Sequence, residues 1–448
     1  MNGALLPQAV LGITLGLLAA GFIGSWVRPT SPGGRTLTCA GVLALLVYAV
    51  IAAPVFIRGG MTLLGLILLL VVVVLPLLAL ALRQRFPDDP VDPLARYARL
   101  VVQIGLLAVL LIAVGQTLSM LGLVDPRLVV VVVALLGTLL TVGASPDGSN
   151  RLAALAVWLM AVPVLIALAL GIFLGEFSAV TDQLIEVDGP APAAVITIAV
   201  IVFLIGWSDT RLDLLRLRRL TSSGALIGAL LVVGLIGLGL LMFLGGAVIA
   251  PSLQFFVIPA NLDLIPGIPA LILGVFTVVF VAMVTSVLSG VASPQVASAR
   301  VETASVDSAS AEVPGPAPAD QLSPATQTSP AAQTSPVWAV VTAVAATVLA
   351  LVDLGSSWML AVTGLVAAAI TGASLGGRGF GRGLRAGLIA AVVIVVAAAF
   401  LTRVDVRIEG GWWALLGIAV VAAIAALTAR AGSRRPQAEP VQTSAGDR

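Results

Sequence analysis

Residues 83–127 read RQRFPDDPVDPLARYARLVVQIGLLAVLLIAVGQTLSMLGLVDPR. Arg83, Arg85, Arg96 and Arg99 precede an apolar run of membrane-spanning length, and Arg127 follows it. Basic loops are retained on the cytoplasmic side of a membrane, so this run is expected to start inside and emerge outside. The asymmetry extends along the chain. There is no lysine and no histidine, and all 23 basic residues are arginine. With loops numbered alternately from an external N-terminus, Arg58, Arg127, Arg403 and Arg407 fall in outer loops and the other 19 in inner ones. That partition predicts an external N-terminus and a cytoplasmic C-terminus.

Spans are expected at 5–27, 38–57, 61–82, 98–122, 127–144, 151–174, 194–215, 223–248, 267–291, 337–354, 357–375, 384–402 and 411–429. At about 1.5 Å rise per residue each is long enough for a hydrocarbon core of roughly 30 Å. Leu5 to Val27 lacks a positive segment before it, so it reads as an anchor span and not a cleaved leader. Short turns such as Arg58-Gly59-Gly60 imply antiparallel neighbours. The outer loop 175–193 is acidic, with Glu176, Asp182, Glu186 and Asp188, and reads as a solvated loop.

Composition agrees with a membrane protein: 60% hydrophobic residues, 10% charged, mean hydropathy +1.15. The arginines are dispersed, which argues against nucleic acid as a partner. One cysteine, Cys39, excludes an internal disulfide, and the absence of histidine excludes a His-based triad and most soft-metal chemistry. Phosphate-loop and dinucleotide fingerprints are absent. No enzyme activity and no cofactor are expected. The chain divides into 1–292 with nine spans, a linker at 293–336, four spans within 337–429 and a tail at 430–448. The linker, rich in Ala, Ser, Pro, Thr and Gln, is expected to be disordered. It is also where a protein partner would dock.

Polar residues inside spans are expensive in lipid and so mark candidate sites. In the seventh span an apolar run reaches Phe203 and is followed by Leu204-Ile205-Gly206-Trp207-Ser208-Asp209-Thr210-Arg211. This reads either as a helix broken near mid-membrane, freeing backbone groups for an ion or a solute, or as a span that ends early. The ninth span contains Ala282-Met283-Val284-Thr285-Ser286-Val287-Leu288-Ser289. Two adjacent hydroxyls and a carbonyl one turn earlier present three hard oxygens, a set suited to sodium, although such hydroxyls commonly bond their own helix. The second span carries Ala40-Gly41, Tyr48 and a kink-forming Pro54, and the fourth carries Gln103 and Gln116, read as interhelical bridges.

The order of these features resembles the sodium:solute symporter family, especially its monocarboxylate (acetate-type) branch. The resemblance rests on Gly60 through Arg83, Arg99 to Gln116 and Gly122, Val142-Gly143-Ala144 before Arg151, Pro266 through Ser293, and Gly376 to Gly387. It implies an all-α polytopic protein of about thirteen transmembrane helices. The fold would be a LeuT-type 5+5 inverted repeat with one extra N-terminal and two extra C-terminal spans. By resemblance, Ala282, Thr285 and Ser286 bind the cation together with carbonyls of Gly41 and Ala44. Tyr48, Gln116, Gly206, Trp207, Ser208 and Asp209 are the candidate substrate contacts. The chain departs from the family where polar residues should follow Ala-Gly, having Val42 through Val47 instead, and where a Gly-Gly-Met turn should stand, having Gly143-Ala144-Ser145. The expected function is sodium-coupled, or proton-coupled, symport of a small organic anion across a bacterial plasma membrane. The alternative is a transport-inactive relative acting as a membrane partner or regulator.

Overall fold

The structure, a computed structural model of the 448-residue chain, describes residues 14–19, 92–120, 125–143, 192–208, 268–292, 336–352, 356–377, 379–403 and 412–433. Residues 14–19 are helical. Eight longer helices follow: α1 Pro93–Met120, α2 Pro126–Gly143, α3 Pro192–Ser208, α4 Ile268–Ala292, α5 Pro336–Val352, α6 Ser356–Gly376, α7 Phe380–Arg403 and α8 Trp412–Ser433. Each falls on an expected span. The described residues are thus almost entirely helical, and they include five helical stretches long and apolar enough to cross a membrane.

Local chemistry fixes the helix starts. Four helices begin on proline (Pro93, Pro126, Pro192 and Pro336), whose missing N–H costs nothing in a first turn. Asp92 and Asp125 cap two of them: the Asp92 Oδ1 accepts from the Leu94 N–H at 2.9 Å, and the Asp125 Oδ1 from the Arg127 N–H at 2.8 Å. α1 therefore begins at Pro93, ahead of the expected 98, and carries Arg96 and Arg99 inside the helix. At the end of α6, Gly377 adopts φ 85°, a left-handed stop that favours glycine.

Packing sorts the helices into two groups joined by α1. α4 packs on α2 and α5, α6 packs on α3, α7 and α8, and α1 touches members of both groups. Over Leu106–Leu111 central α1 is apolar and buried on every side, with Leu106, Leu107, Leu110 and Leu111 fully buried. The stretch Trp358–Gly376 of α6 is 89% buried, whereas the corresponding stretch of α7 is 22% buried. α6 is the central post of its group and α7 an outer helix.

Small residues set the distances within the second group, as expected where lipid removes any hydrophobic drive for helices to associate. A Cβ on Gly372 would strike the Ala422 carbonyl oxygen and lie 2.8 Å from the Ala422 Cα. Gly376, Gly379 and Gly383 meet α8 at Ala425, Ala426 and Ala429 in the same manner, and Gly387 meets Ala369 and Ala425. Elsewhere Gly105 faces Thr363, Gly364 faces Ile201, and Gly137 faces Val284.

These contacts give the helices direction. Tyr97 and Trp338, near the starts of α1 and α5, stack edge to face with centroids 6.5 Å apart. The Asp92 Oδ2 lies 2.7 Å from the point a Gly381 Cβ would occupy, and Gly379 abuts Ala429 near the end of α8. So α1, α5 and α7 start, and α6 and α8 end, on one face. On the opposite face Trp358 and Trp413, at the starts of α6 and α8, pair at 5.2 Å. These directions agree with alternating spans. Arg96, Arg99, Arg382, Arg385 and Arg430 belong to the first face; Arg127 and Arg403 belong to the second. The 19-residue stretch Trp358–Gly376 between the faces measures about 28 Å, close to a hydrocarbon core of roughly 30 Å.

Candidate functional site

α4 is enclosed all round over Phe280–Gly290. Ala282, Thr285, Ser286 and Ser289 repeat at helical spacing along one side, and each is at least nine-tenths buried. The Thr285 hydroxyl donates to the Val281 carbonyl at 2.8 Å, and the Ser289 hydroxyl donates to the Ser286 carbonyl at 2.9 Å. This bond does not single Thr285 out, because Thr138, Thr141, Thr347, Thr363 and Thr371 do the same to carbonyls four residues back. It does orient the oxygen. A hydroxyl that spends its one proton on the helix keeps lone pairs for another partner, so Thr285 Oγ1 stays chemically available to a cation.

α2 closes the wall beside this row. Gly137 lets the α2 backbone approach Val284 and Thr285. The Thr141 hydroxyl donates to the Gly137 carbonyl at 2.7 Å and lies 3.4 Å from the Thr285 carbonyl oxygen, a long second contact. Thr141, Ser289 and Gly137 did not stand out in the sequence. Their only signals are the four-residue spacing of Gly137 and Thr141 and the position of Ser289 one turn beyond the Thr285–Ser286 pair. The expected carbonyl donors Gly41 and Ala44 lie outside the described residues.

Gly206, Trp207 and Ser208 form the last turn of α3, and all three are buried. The helix is continuous from Pro192 to Ser208, and the rest of the stretch expected either to break or to end the span, Asp209 to Arg211, lies outside the described residues. Gly206 stays helical because the surrounding bundle buries it. The Ser208 hydroxyl is taken up by the Ile205 carbonyl at 3.0 Å. Trp207 packs against Phe203 with ring centroids 6.0 Å apart and is 1% exposed, yet its Nε1–H has no hydrogen-bond partner among the described residues. A buried indole N–H usually finds an acceptor. Here the donor is held rigidly and left open. Asp209 and Tyr48 lie outside the described residues, as does the side chain of Gln116, whose backbone belongs to α1.

Gln103, expected to bridge helices, makes no such bridge among the described residues: it is 1% exposed, and neither its Oε1 nor its Nε2 has a partner there. Thr342 on α5, which packs against α1, is likewise buried, its hydroxyl without a partner among the described residues. The core thus holds open hydrogen-bonding capacity on α1, α3 and α5, and a row of hydroxyls on α4.

No protein-family model matches this chain, and no curated protein does either. Among solved structures, it is similar to a Na+-coupled sialic acid symporter, described in a substrate-bound outward-open state with a novel Na+-site. The identity is 13%, the TM-score 0.53, and the match covers 95% of this chain and 97% of that one. Likeness at this identity concerns the fold, and it runs nearly end to end on both chains. With the apolar helices above, it defines a multi-pass α-helical membrane protein that shares its fold with that structure.

Proposed function

We propose that this chain is a secondary transporter, coupling the entry of sodium to that of a small organic anion by alternating access. The carrying observation is the end-to-end fold likeness to a Na+-coupled symporter, together with the buried Ala282, Thr285, Ser286 row on α4. The row supplies hard oxygens of the kind sodium prefers. The open Trp207 N–H offers a donor to an acceptor oxygen of the solute, with Gly206 and Ser208 beside it and Asp209 next in sequence. The monocarboxylate class follows from the sequence resemblance, and a fixed N–H donor suits a carboxylate oxygen. A catalytic role is not part of this reading. By the arginine partition, the Arg96–Arg382 face is cytoplasmic.

A thermal-shift titration of the purified protein with sodium chloride, against choline and potassium chloride, tests this reading. A specific site stabilises by mass action, about 1.4 kcal/mol at ten times Kd. A melting curve that ignores sodium at every concentration rejects sodium coupling, and Asp209 then becomes the carboxylate to test for proton coupling.

The solute side has its own test. Trp207→Phe keeps a ring against Phe203 but removes the N–H. Hydrogen bonds to charged groups are worth about 1.5–3 kcal/mol, so the KM for uptake of the transported anion should rise by roughly tenfold or more, with melting temperature retained. An unchanged KM removes Trp207 from the substrate site.

A further inference from the structure

We infer that the outer face of α7 is a binding site for the headgroup and chain of an anionic phospholipid. Arg382 and Arg385 are exposed in the first turns of this helix. Ile389, Val392, Val393, Val396 and Phe400 are each at least 60% exposed. At 100° per residue, the two arginines and all five apolar residues fall within an arc of about 100°. One face therefore carries guanidinium groups at one end and an uncovered apolar track beyond them. Ile389 to Phe400 extends about 17 Å, comparable to one leaflet of a hydrocarbon core of roughly 30 Å. Headgroup and acyl chain have the same order and similar reach.

The positive-inside rule calls for arginine in the loop, but not for arginine placed on the lipid-facing stripe of the helix. This placement carries an electrostatic cost. Cations at a helix N-terminus oppose the macrodipole, α7 has no acidic residue of its own in its first turn, and the Asp92 carboxylate that lies against Gly381 caps α1 through its other oxygen. A phosphodiester at this position meets two planar guanidinium forks and the positive end of the helix together. α8 has the same design beside it. Leu416, Val420 and Leu427 are exposed along a face that ends in exposed Arg430, and Gly379 brings the two arginine-bearing ends together at Ala429. A lipid with two chains would find a second apolar track there. Basic positions between helices at this membrane level are a known chemistry for anionic headgroups.

The test uses the full chain in phosphatidylcholine nanodiscs containing spin-labelled phosphatidylglycerol or spin-labelled phosphatidylcholine. Electron spin resonance reads the ratio of the two bound fractions. Wild type should favour phosphatidylglycerol, and Arg382→Gln/Arg385→Gln should lose most of that preference. Each exposed arginine near the membrane surface contributes roughly fivefold, equivalent to about 1 kcal/mol. Arg127→Gln, on the opposite face, should keep the preference. On wild type itself, added salt should weaken the preference, which tests the idea even if the double variant folds poorly. An unchanged ratio in the double variant overturns the site, as does an equal loss in Arg127→Gln. If millimolar inorganic phosphate displaces the spin-labelled lipid completely, the anion recognised is free phosphate and the lipid assignment fails.

Discussion

Thr285→Val combined with Ser286→Ala should abolish the response of the protein to sodium while leaving it folded. The two substitutions remove two hydroxyl oxygens and almost no volume. If the hydroxyls serve only their own helix, as Thr285 does toward Val281, little changes. Hydrogen bonds in membrane bundles average about 0.6 kcal/mol, and a backbone carbonyl in a helix keeps its amide partner. If the oxygens hold sodium, the loss is of another order. With about 1.5–3 kcal/mol for each polar contact to a charge, losing two lowers affinity by more than about a hundredfold. The measurement is isothermal titration of sodium on wild type and double variant, with sodium-gradient uptake in proteoliposomes as the functional readout. Unaltered sodium affinity in the double variant removes Thr285 and Ser286 from the site.

Gly372→Val should prevent the bundle from assembling. A Cβ at this position collides with the Ala422 backbone, and backbone cannot step aside as a flexible side chain can. Overpacking a tight core costs about 1–3 kcal/mol or more. Here the branched side chain would separate α6 from α8 along their whole contact. Gly372→Ala should fall between valine and wild type. Gly16→Val, where nothing lies within 4 Å of the added carbon, should be silent. Heating each variant in detergent before size-exclusion chromatography ranks them. A valine variant that melts with wild type would show that α6 and α8 are not packed as described.

Hydropathy located all eight described helices because a bilayer leaves little choice: a run of apolar residues of spanning length must be helical to satisfy its backbone. Boundaries were less legible where polarity and helicity part company. Arg96 lay outside the expected span and Arg99 at its margin, yet the Asp92 cap and Pro93 start the helix before them. Gly206-Trp207-Ser208 left a mid-membrane break and an early end of the span both open, and the helix runs on at least through Ser208. At the candidate site, the Thr285–Ser286 pair was legible because adjacent hydroxyls in an apolar run are conspicuous. Gly137 was not, since its importance is a distance to Val284 in another helix. The open hydrogen-bonding atoms of Gln103 and Trp207 are legible only in three dimensions, because sequence shows a polar group and never its missing partner.

The glycine and alanine contacts joining α6, α7 and α8 have a mechanical consequence. Backbone held against backbone has no rotamers to exchange and meets a steep repulsive wall on any approach, so neighbouring helices cannot slide by small side-chain adjustments. The three helices therefore behave as a stiff plate. Gly364 meets the Ile201 side chain of α3, and Gly105 of α1 meets the Thr363 side chain, contacts that can yield by rotamer change as the backbone contacts cannot. Any rocking that exposes a solute first to one side and then to the other must be taken up at looser seams such as these, and α6 would act as a fixed wall of the pathway.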